Sequence, residues 1–303
     1  MIHDQPYEFG GRVYHHKDHD QGVFAADSPL LALPLNMKPI RVAIVGLSAS
    51  AKVSWAANAH LPYLLSQHGK KHYAIVALLN SSILAAENAR RTFDLPDAKA
   101  YGDPEALASD PDVDLVVNTR ADVHFAVVQP SIKAGKAVYV EWPLTHDLAS
   151  TLELTKDMPK PSKSIVGLQG RVAPITLRLK ELLANGVIGQ VLSSEVRAYG
   201  NLLSVEGLPE SVAYFTDRKI GGHVINIHSG HTIDCVHEVL GDWGSFHSKM
   251  QIQRPELKVF GQDGRGDEKE VVVSNVPDFL PIHSTLQGNK GVAVRGATLA
   301  VFF

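Results

Sequence analysis

The chain has 303 residues, 45% hydrophobic and 20% charged, with a formal net charge of -3 and an isoelectric point near 6.6. That is the balance of a globular chain of one large or two ordinary domains, and it gives no electrostatic footprint for nucleic acid or an anionic membrane. A single cysteine, Cys235, excludes an internal disulfide and fits a reducing compartment, and no apolar run reaches the roughly 20 residues that span a bilayer.

Residues 1–36 stand apart from the rest. They are rich in His, Asp, Gly and Pro, and Asp4, Glu8 and Arg12 interrupt any signal-peptide pattern. This composition predicts an N-terminal extension without fixed structure. His15, His16 and His19 cluster there without the ligand spacing of a metal site.

From Ile40 the pattern becomes regular. Strand 40–45 leads to Gly46-Leu47-Ser48-Ala49 and a helix over 54–66. A strand, a tight turn of small residues and a helix N-terminus make a phosphate cradle, although of the G-x-G-x-x-G fingerprint only Gly46 is present, with Ser48 and Ala51 at the other two places. Strand 73–79, helix 83–93, a short piece at 99–101, helix 104–109, strand 113–119, helix 123–134, strand 137–140, helix 146–157 and strand 164–168 follow. Gly135 supplies a helix stop. Apolar strands alternating with helices on short connections predict an α/β fold with a doubly wound parallel sheet, whose ligands bind beyond the C-terminal strand ends. Those ends are Gly46, Asn80, Thr119-Arg120 and Glu141.

The second half changes character. Helix 174–184 places Ile175, Leu179, Leu182 and Leu183 on one face. Strand-like runs at 191–199, 245–253, 269–275, 283–287 and 292–302 predict a mostly antiparallel sheet, interrupted by a helix near 230–240. Residues 288–291 read as a hairpin turn. The apolar close Val301-Phe302-Phe303 is expected either to be buried or to mark a chain cut short.

Several stretches in this order carry a resemblance: Val45-Gly46-Leu47, Trp55 with His60-Leu61-Pro62, Val140-Glu141-Trp142-Pro143-Leu144, Leu168-Gln169-Gly170-Arg171, Lys180-Glu181-Leu182-Leu183 with Gly186-Val187-Ile188-Gly189, and Gly230-His231-Thr232-Ile233-Asp234. From about 38 to 300 the chain resembles the Gfo/Idh/MocA oxidoreductases, and within them the branch of the yeast galactose-pathway repressor. The resemblance implies a Rossmann domain over 37–160 and an α+β domain with an open, mostly antiparallel sheet over 161–303, the family continuing further at its C-terminus. It implies NAD or NADP as ligand, hydride transfer on a sugar or polyol, and self-association through the open sheet.

The resemblance also assigns sites. His231 and Asp234 match the family's His-x-x-Asp, where the histidine is a substrate-facing acid/base. Gly46, Leu47, Ser48, Ala49, Asn80, Ser81, Thr119, Arg120, His124, Glu141 and Trp142 fall where the cofactor is held; Gln169 and Arg171 fall toward substrate, and Lys219 is the nearest substitute on the substrate side for the lysine that position 142 lacks. Family enzymes carry Glu-Lys-Pro where this chain has Glu141-Trp142-Pro143, and an indole cannot carry the proton of that lysine. An acid usual before the histidine is here Asn226. Asn80-Ser81-Ser82 lacks the carboxylate that favours NAD, which tilts the expectation toward NADP and leaves NAD open. His223, His228, His231, Asp234 and His237 drift around a helix, so no metal is expected. Two functions stay open: a cytoplasmic NAD(P)-dependent oxidoreductase, or a non-catalytic NAD(P)-binding regulator with a protein partner, cytoplasmic or nuclear.

Overall fold

The structure is a computed structural model. It describes residues 7–9, 12–14, 38–48, 54–119, 123–199, 207–261, 268–286 and 297–302. The chain divides into two compact units, Met1–Lys38 and Pro39–Phe303. In the first, β1 (Tyr7–Phe9) and β2 (Arg12–Tyr14) pair antiparallel, with Tyr7 opposite Tyr14. The clustered histidines 15, 16 and 19 lie outside the described residues.

The second unit begins with β3 (Ile40–Val45), α1 (Leu61–Leu65), β4 (Tyr73–Leu79), α2 (Ile83–Thr92), β5 (Lys99–Tyr101), α3 (Pro104–Ala108), β6 (Leu115–Asn118), α4 (His124–Lys133), β7 (Ala137–Glu141), α5 (Leu148–Thr155) and β8 (Ile165–Gly167). All six strands pair in parallel, in the order β5-β4-β3-β6-β7-β8. The sheet thus runs on past residue 160 to Gly167. Strand residues alternate between two buried layers. Val42 and Ile44 pack with Leu61, Leu64, Ala86 and Ala89; Ala43 and Val45 pack with Leu107, Val128, Ile132 and Leu154. A fully buried side chain such as Ile44 contributes about 1.5–3 kcal/mol relative to exposure. Ser82, Asp103 and Asp147 each accept a backbone N–H from the first turn of the helix that they cap. α4 ends before Gly135, whose φ of +74° suits a residue without a Cβ.

The remainder holds α6 (Pro174–Ala184), β9 (Ser194–Tyr199), β10 (Gly207–Pro209), α7 (Gly230–Leu240), β11 (Trp243–Ser248), β12 (Glu256–Phe260), β13 (Glu268–Val273), β14 (Phe279–Leu286) and β15 (Ala297–Phe302). They form two sheets, β11-β14-β15-β9 and β10-β12-β13, antiparallel except where β9 pairs β15 and β10 pairs β12. β10 and β12 were not expected. β12 alternates Glu256, Leu257, Lys258 and Val259, with the apolar pair buried, but Pro255 and two charges disguise it as a loop. The turn expected at 288–291 lies outside the described residues.

One expected packing face is rotated. Ile175 is 67% exposed and Leu179 is exposed too, whereas Thr176 is buried. α6 meets α7 through Thr176 beside Cys235, through Lys180 bonded to Glu238, and through Leu183 beside Val236. Polar pairing with α7 sets the rotation of the helix, so Ile175 and Leu179 turn outward while Leu183 stays against α7.

Candidate functional site

The strand order reverses direction between β3 and β6, so the crevice for a ligand opens at their C-terminal ends. β3 turns there at Gly46, whose φ of +81° is a conformation that L residues rarely adopt. Its N–H donates to the Leu79 carbonyl at 3.0 Å. Leu47 folds back with 0% exposure, so only its backbone faces the turn. Its carbonyl accepts from Asn80 Nδ2 at 2.9 Å, and Thr119 Oγ1 donates to the Val45 carbonyl at 3.1 Å. Ser48 is half-buried and Ser81 exposed; Ala49 and Arg120 lie outside the described residues. Ser54, buried, accepts from Ala57 N–H and starts the following helix. The residues fit a dinucleotide: a positive-φ turn, a capped helix after it, and no carboxylate over Asn80–Ser82 to repel a 2′-phosphate.

Next along the same edge, β7 delivers Glu141. Its carboxylate is buried, yet Oε1 takes two donors: Trp55 Nε1 at 3.0 Å and His60 Nε2 at 2.6 Å. An ordinary α-helix would put these donors about 140° apart. The segment Ala56–His60 is instead a π-type turn, with the Leu61 N–H on the Ala56 carbonyl, and this wider turn brings Trp55 and His60 to one side. His60 stands edge-on to Tyr139, ring centroids 5.3 Å apart. A Cβ on Gly167 would lie 2.7 Å from Glu141 Oε2 and 2.8 Å from the Tyr139 hydroxyl, so both groups crowd the bare glycine of β8. Burial, and then the Glu141 charge, push the Tyr139 phenol up to about 12.

Trp142 donates its indole N–H to the Asn226 carbonyl at 2.6 Å and lies across Gly230, where a Cβ would be 2.2 Å from Nε1. Asn226 sits in a second π-type turn, Ile225–Ser229, that leads into α7. Two of the places where this chain departs from the family pattern, 142 and 226, therefore touch. Asn226 Nδ2 also donates to the Gly221 carbonyl at 3.0 Å, and its N–H donates to His223 Nδ1 at 3.3 Å. His223 is buried, and burial, aided by the Arg218 charge, pushes it down to about 4.

His231, at the start of α7, is half-buried. Burial lowers its pKa, while the charges of Glu141 and Asp234 oppose that shift. Asp234 itself is clamped by Arg171, with Nε 3.0 Å from both carboxylate oxygens and Nη2 2.6 Å from Oδ1. Arg171 and Asp234 are thus engaged with each other, Asp234 reaching His231 through its field. His124 is 1% exposed and donates from Nδ1 to the Pro143 carbonyl at 2.7 Å, which supports the turn after Glu141 from beneath. Gln169 and Lys219 are exposed on short 3-10 turns, with no side-chain bond to Glu141 or His231 among the described residues. Burial raises the Cys235 thiol, whose sulfur packs against Gly170. Among the described residues no three metal-ligating side chains converge, and no helix is long and apolar enough to cross a membrane.

Reading by helical period missed Trp55 and His60 as partners of Glu141, because a π-type turn leaves no 3.6-residue signature. Their mark in the sequence was the resemblance alone.

Known proteins agree with this architecture. The family profile described as oxidoreductase family, NAD-binding Rossmann fold, matches residues 40–166, and that of the Gal80p C-terminal domain matches 174–298. The dehydrogenase aclE of Aspergillus oryzae is 32% identical, over 82% of this chain and 67% of its own. The galactose/lactose metabolism regulatory protein GAL80 of Saccharomyces cerevisiae is 30% identical, over 85% of this chain and 60% of its own. The crystal structure of a super-repressor mutant of Gal80p from the same yeast superposes with a TM-score of 0.77 at 27% identity, covering 88% of this chain and 68% of the other. The chain thus spans about two thirds or less of the length of these relatives. With both halves matched in order and the sheet of the dinucleotide-binding fold in place, the chain belongs to the Gfo/Idh/MocA oxidoreductase family.

Proposed function

We propose that the chain binds a nicotinamide dinucleotide, NADP in preference to NAD, and is an oxidoreductase that moves hydride to or from a sugar, polyol or related hydroxyl or carbonyl. The observation that carries this reading is the convergence at one sheet edge of the positive-φ turn at Gly46, the buried Glu141 carboxylate and the half-buried His231. A dehydrogenase among the relatives supports it.

The backbone of Gly46, Leu47 and Ser48 would hold the phosphates, and Asn80, Ser81 and Thr119 the ribose side. Trp55 is 48% exposed and anchored by its N–H to Glu141, so its indole offers a flat wall to a planar ring. The nicotinamide supplies the hydride acceptor or donor when bound. His231 handles the proton: its lowered pKa keeps the imidazole neutral near pH 7, in the form that takes a proton from a hydroxyl. Gln169 and Lys219 stand toward substrate. Self-association through the open face of the four-stranded sheet and a cytoplasmic location belong to the same reading.

A second reading follows from Trp142. Its neutral bond to the Asn226 carbonyl stands where family enzymes have a lysine and an acid, and the matched C-terminal domain is that of a regulator. A chain of this kind would bind the cofactor and a partner protein without turnover, in the cytoplasm or the nucleus. Titration with NADH and NADPH, then screening of sugars and polyols for cofactor reduction, decides between the two. Turnover abolished by His231→Ala supports the enzyme. Tight cofactor binding with no turnover on any substrate sinks it and leaves the regulator.

A further inference from the structure

We infer that Trp142 is a positioning residue of this cleft: its indole holds the π-type turn Ile225–Ser229 and, by lying on Gly230, fixes where His231 stands.

The loop that leaves β7 grips this turn at both ends. Trp142 Nε1 donates to the Asn226 carbonyl at 2.6 Å, and the same oxygen takes the Gly230 N–H. The indole thus inserts a donor into the backbone ladder of the helix, and an inserted side chain is one of the few causes of a local change in winding. At the far end of the turn, a Cβ on Gly230 would stand 2.6 Å from Cε2 and 2.9 Å from Cζ2, so only a glycine lets the ring sit there. His231 comes next, its Cα about 3.8 Å from that of Gly230. At the near end, a Cβ on Gly221 would meet the backbone of His146, and Asn226 Nδ2 donates to the Gly221 carbonyl at 3.0 Å.

The indole is itself anchored. Glu141, before it, pairs with Gly167 in the parallel sheet, and His124 holds the carbonyl of Pro143, after it, at 2.7 Å. Trp142 therefore cannot shift without disturbing the sheet edge. What it fixes is direction. An α-helix turns about 100° per residue, so one extra residue in a turn offsets everything after it by about that angle. If Ile225–Ser229 closed to ordinary winding, His231 would swing about a quarter turn around the axis of α7. Position 142 thus does more than lack the family's lysine: it sets which way the imidazole faces. The use of His231 as proton carrier rests on the function proposed above; its placement by Trp142 does not.

The test is the reactivity of individual histidines toward diethyl pyrocarbonate in the full chain without cofactor, read by peptide mapping. Two variants are compared with the unaltered chain. Trp142→Phe removes the N–H and part of the ring, and Trp142→3-benzothienylalanine keeps the bicyclic shape and loses only the N–H. Half-buried His231 should react several-fold faster in both, with exposed His247 unchanged. Asp110→Ala, which loosens the opposite end of the sheet, should leave His231 as it is. An unchanged His231 in both folded variants overturns the inference, and so does an equal rise in Asp110→Ala, which would mark loss of stability rather than of position. If Trp142→Phe does not fold, the benzothienyl variant decides alone. In a chain that turns over a substrate, kcat of the benzothienyl variant should fall about tenfold or more at unchanged NADPH affinity. A chain that turns over nothing removes the function proposed above and leaves the reactivity result interpretable on its own.

Discussion

The two ends of the six-stranded sheet treat their polar groups differently. At the N-terminal ends of β3, β6 and β7, with Lys99 and Tyr101 of β5 reaching in, the charges saturate one another. Arg41 donates to both oxygens of Asp114, to Asp112 and to the Pro111 carbonyl. Lys99 bridges Asp110 and Asp112, Tyr101 donates to Asp110 at 2.7 Å, and Lys136 donates to the carbonyls of Asp110 and Val113. At the C-terminal ends a single buried carboxylate, Glu141, is bonded at one oxygen, and the groups around it are neutral or half-open: Asn80, Thr119, Trp142, His231. One end is closed and built for stability. The other keeps a turn, an indole face and an imidazole available, as an edge that receives a ligand must.

Substitutions that break either end should separate stability from binding. The largest effect is expected from Gly230→Val. Even a Cβ there meets the Trp142 indole, which is pinned by its bond to Asn226 and cannot retreat. We expect a loss of about 3 kcal/mol or more in denaturant unfolding, together with loss of NADPH binding by tryptophan fluorescence. At the opposite end, Asp110→Ala leaves Lys99, the Tyr101 hydroxyl and the Asp112 N–H without their shared acceptor. A loss of about 2 kcal/mol is expected, with NADPH affinity unchanged. Weakened NADPH binding in folded Asp110→Ala would mean that the two ends are coupled, against the comparison.

Acid should also distinguish them, through different groups. Hydrogen bonds from Arg41 hold Asp114 down to about 2; for Asp110, burial opposes but bonds from Tyr101, the Asp112 N–H and Lys99 outweigh it, again to about 2. A carboxylate lowered in the fold stabilises above its unfolded value of 3.8, and that contribution is lost as pH falls from there toward 2. His223 near the cleft is lowered to about 4 from 6.5, so its neutral form stabilises above 6.5 and the benefit is lost between 6.5 and 4. Denaturant midpoints measured against pH should fall in two stages. His223→Gln should flatten the upper stage and Asp110→Asn the lower. A single stage below pH 4 in the unaltered chain would contradict the placement of His223.

The parallel sheet was legible because its strands are short apolar runs, buried on both faces, that alternate with helices on short connections. Gly46 was legible as a turn. What was not legible depends on partners distant in sequence. Arg171 and Asp234 read as ligand-facing groups, yet 63 residues apart they close on each other. His124 read as a cofactor contact and lies beneath Pro143. α6 reads as amphipathic with Ile175 inward, but Thr176 and Lys180 find their partners on α7 and turn it. His60 and Trp55 meet through a π-type turn, which no 3.6-residue periodicity reveals.

The smallest expected effects are also the sharpest comparison, since they remove one donor from one carboxylate at each end. Tyr101→Phe deletes a hydroxyl that donates to Asp110, which keeps Lys99 and the Asp112 N–H. Trp55→Phe deletes the indole N–H on Glu141 Oε1, which then keeps only His60 among the described residues. Each should cost about 1 kcal/mol, Trp55→Phe the more because its buried acceptor loses half of its donors rather than a fraction. Binding should divide them further. A phenyl ring in place of the Trp55 indole lacks the anchor that fixes the plane of the ring, so NADPH affinity should fall, whereas Tyr101→Phe should leave it unchanged. Equal stability losses with unchanged affinity in both variants would make Glu141 one more structural carboxylate, and the C-terminal edge of the sheet no more open to a ligand than the N-terminal one.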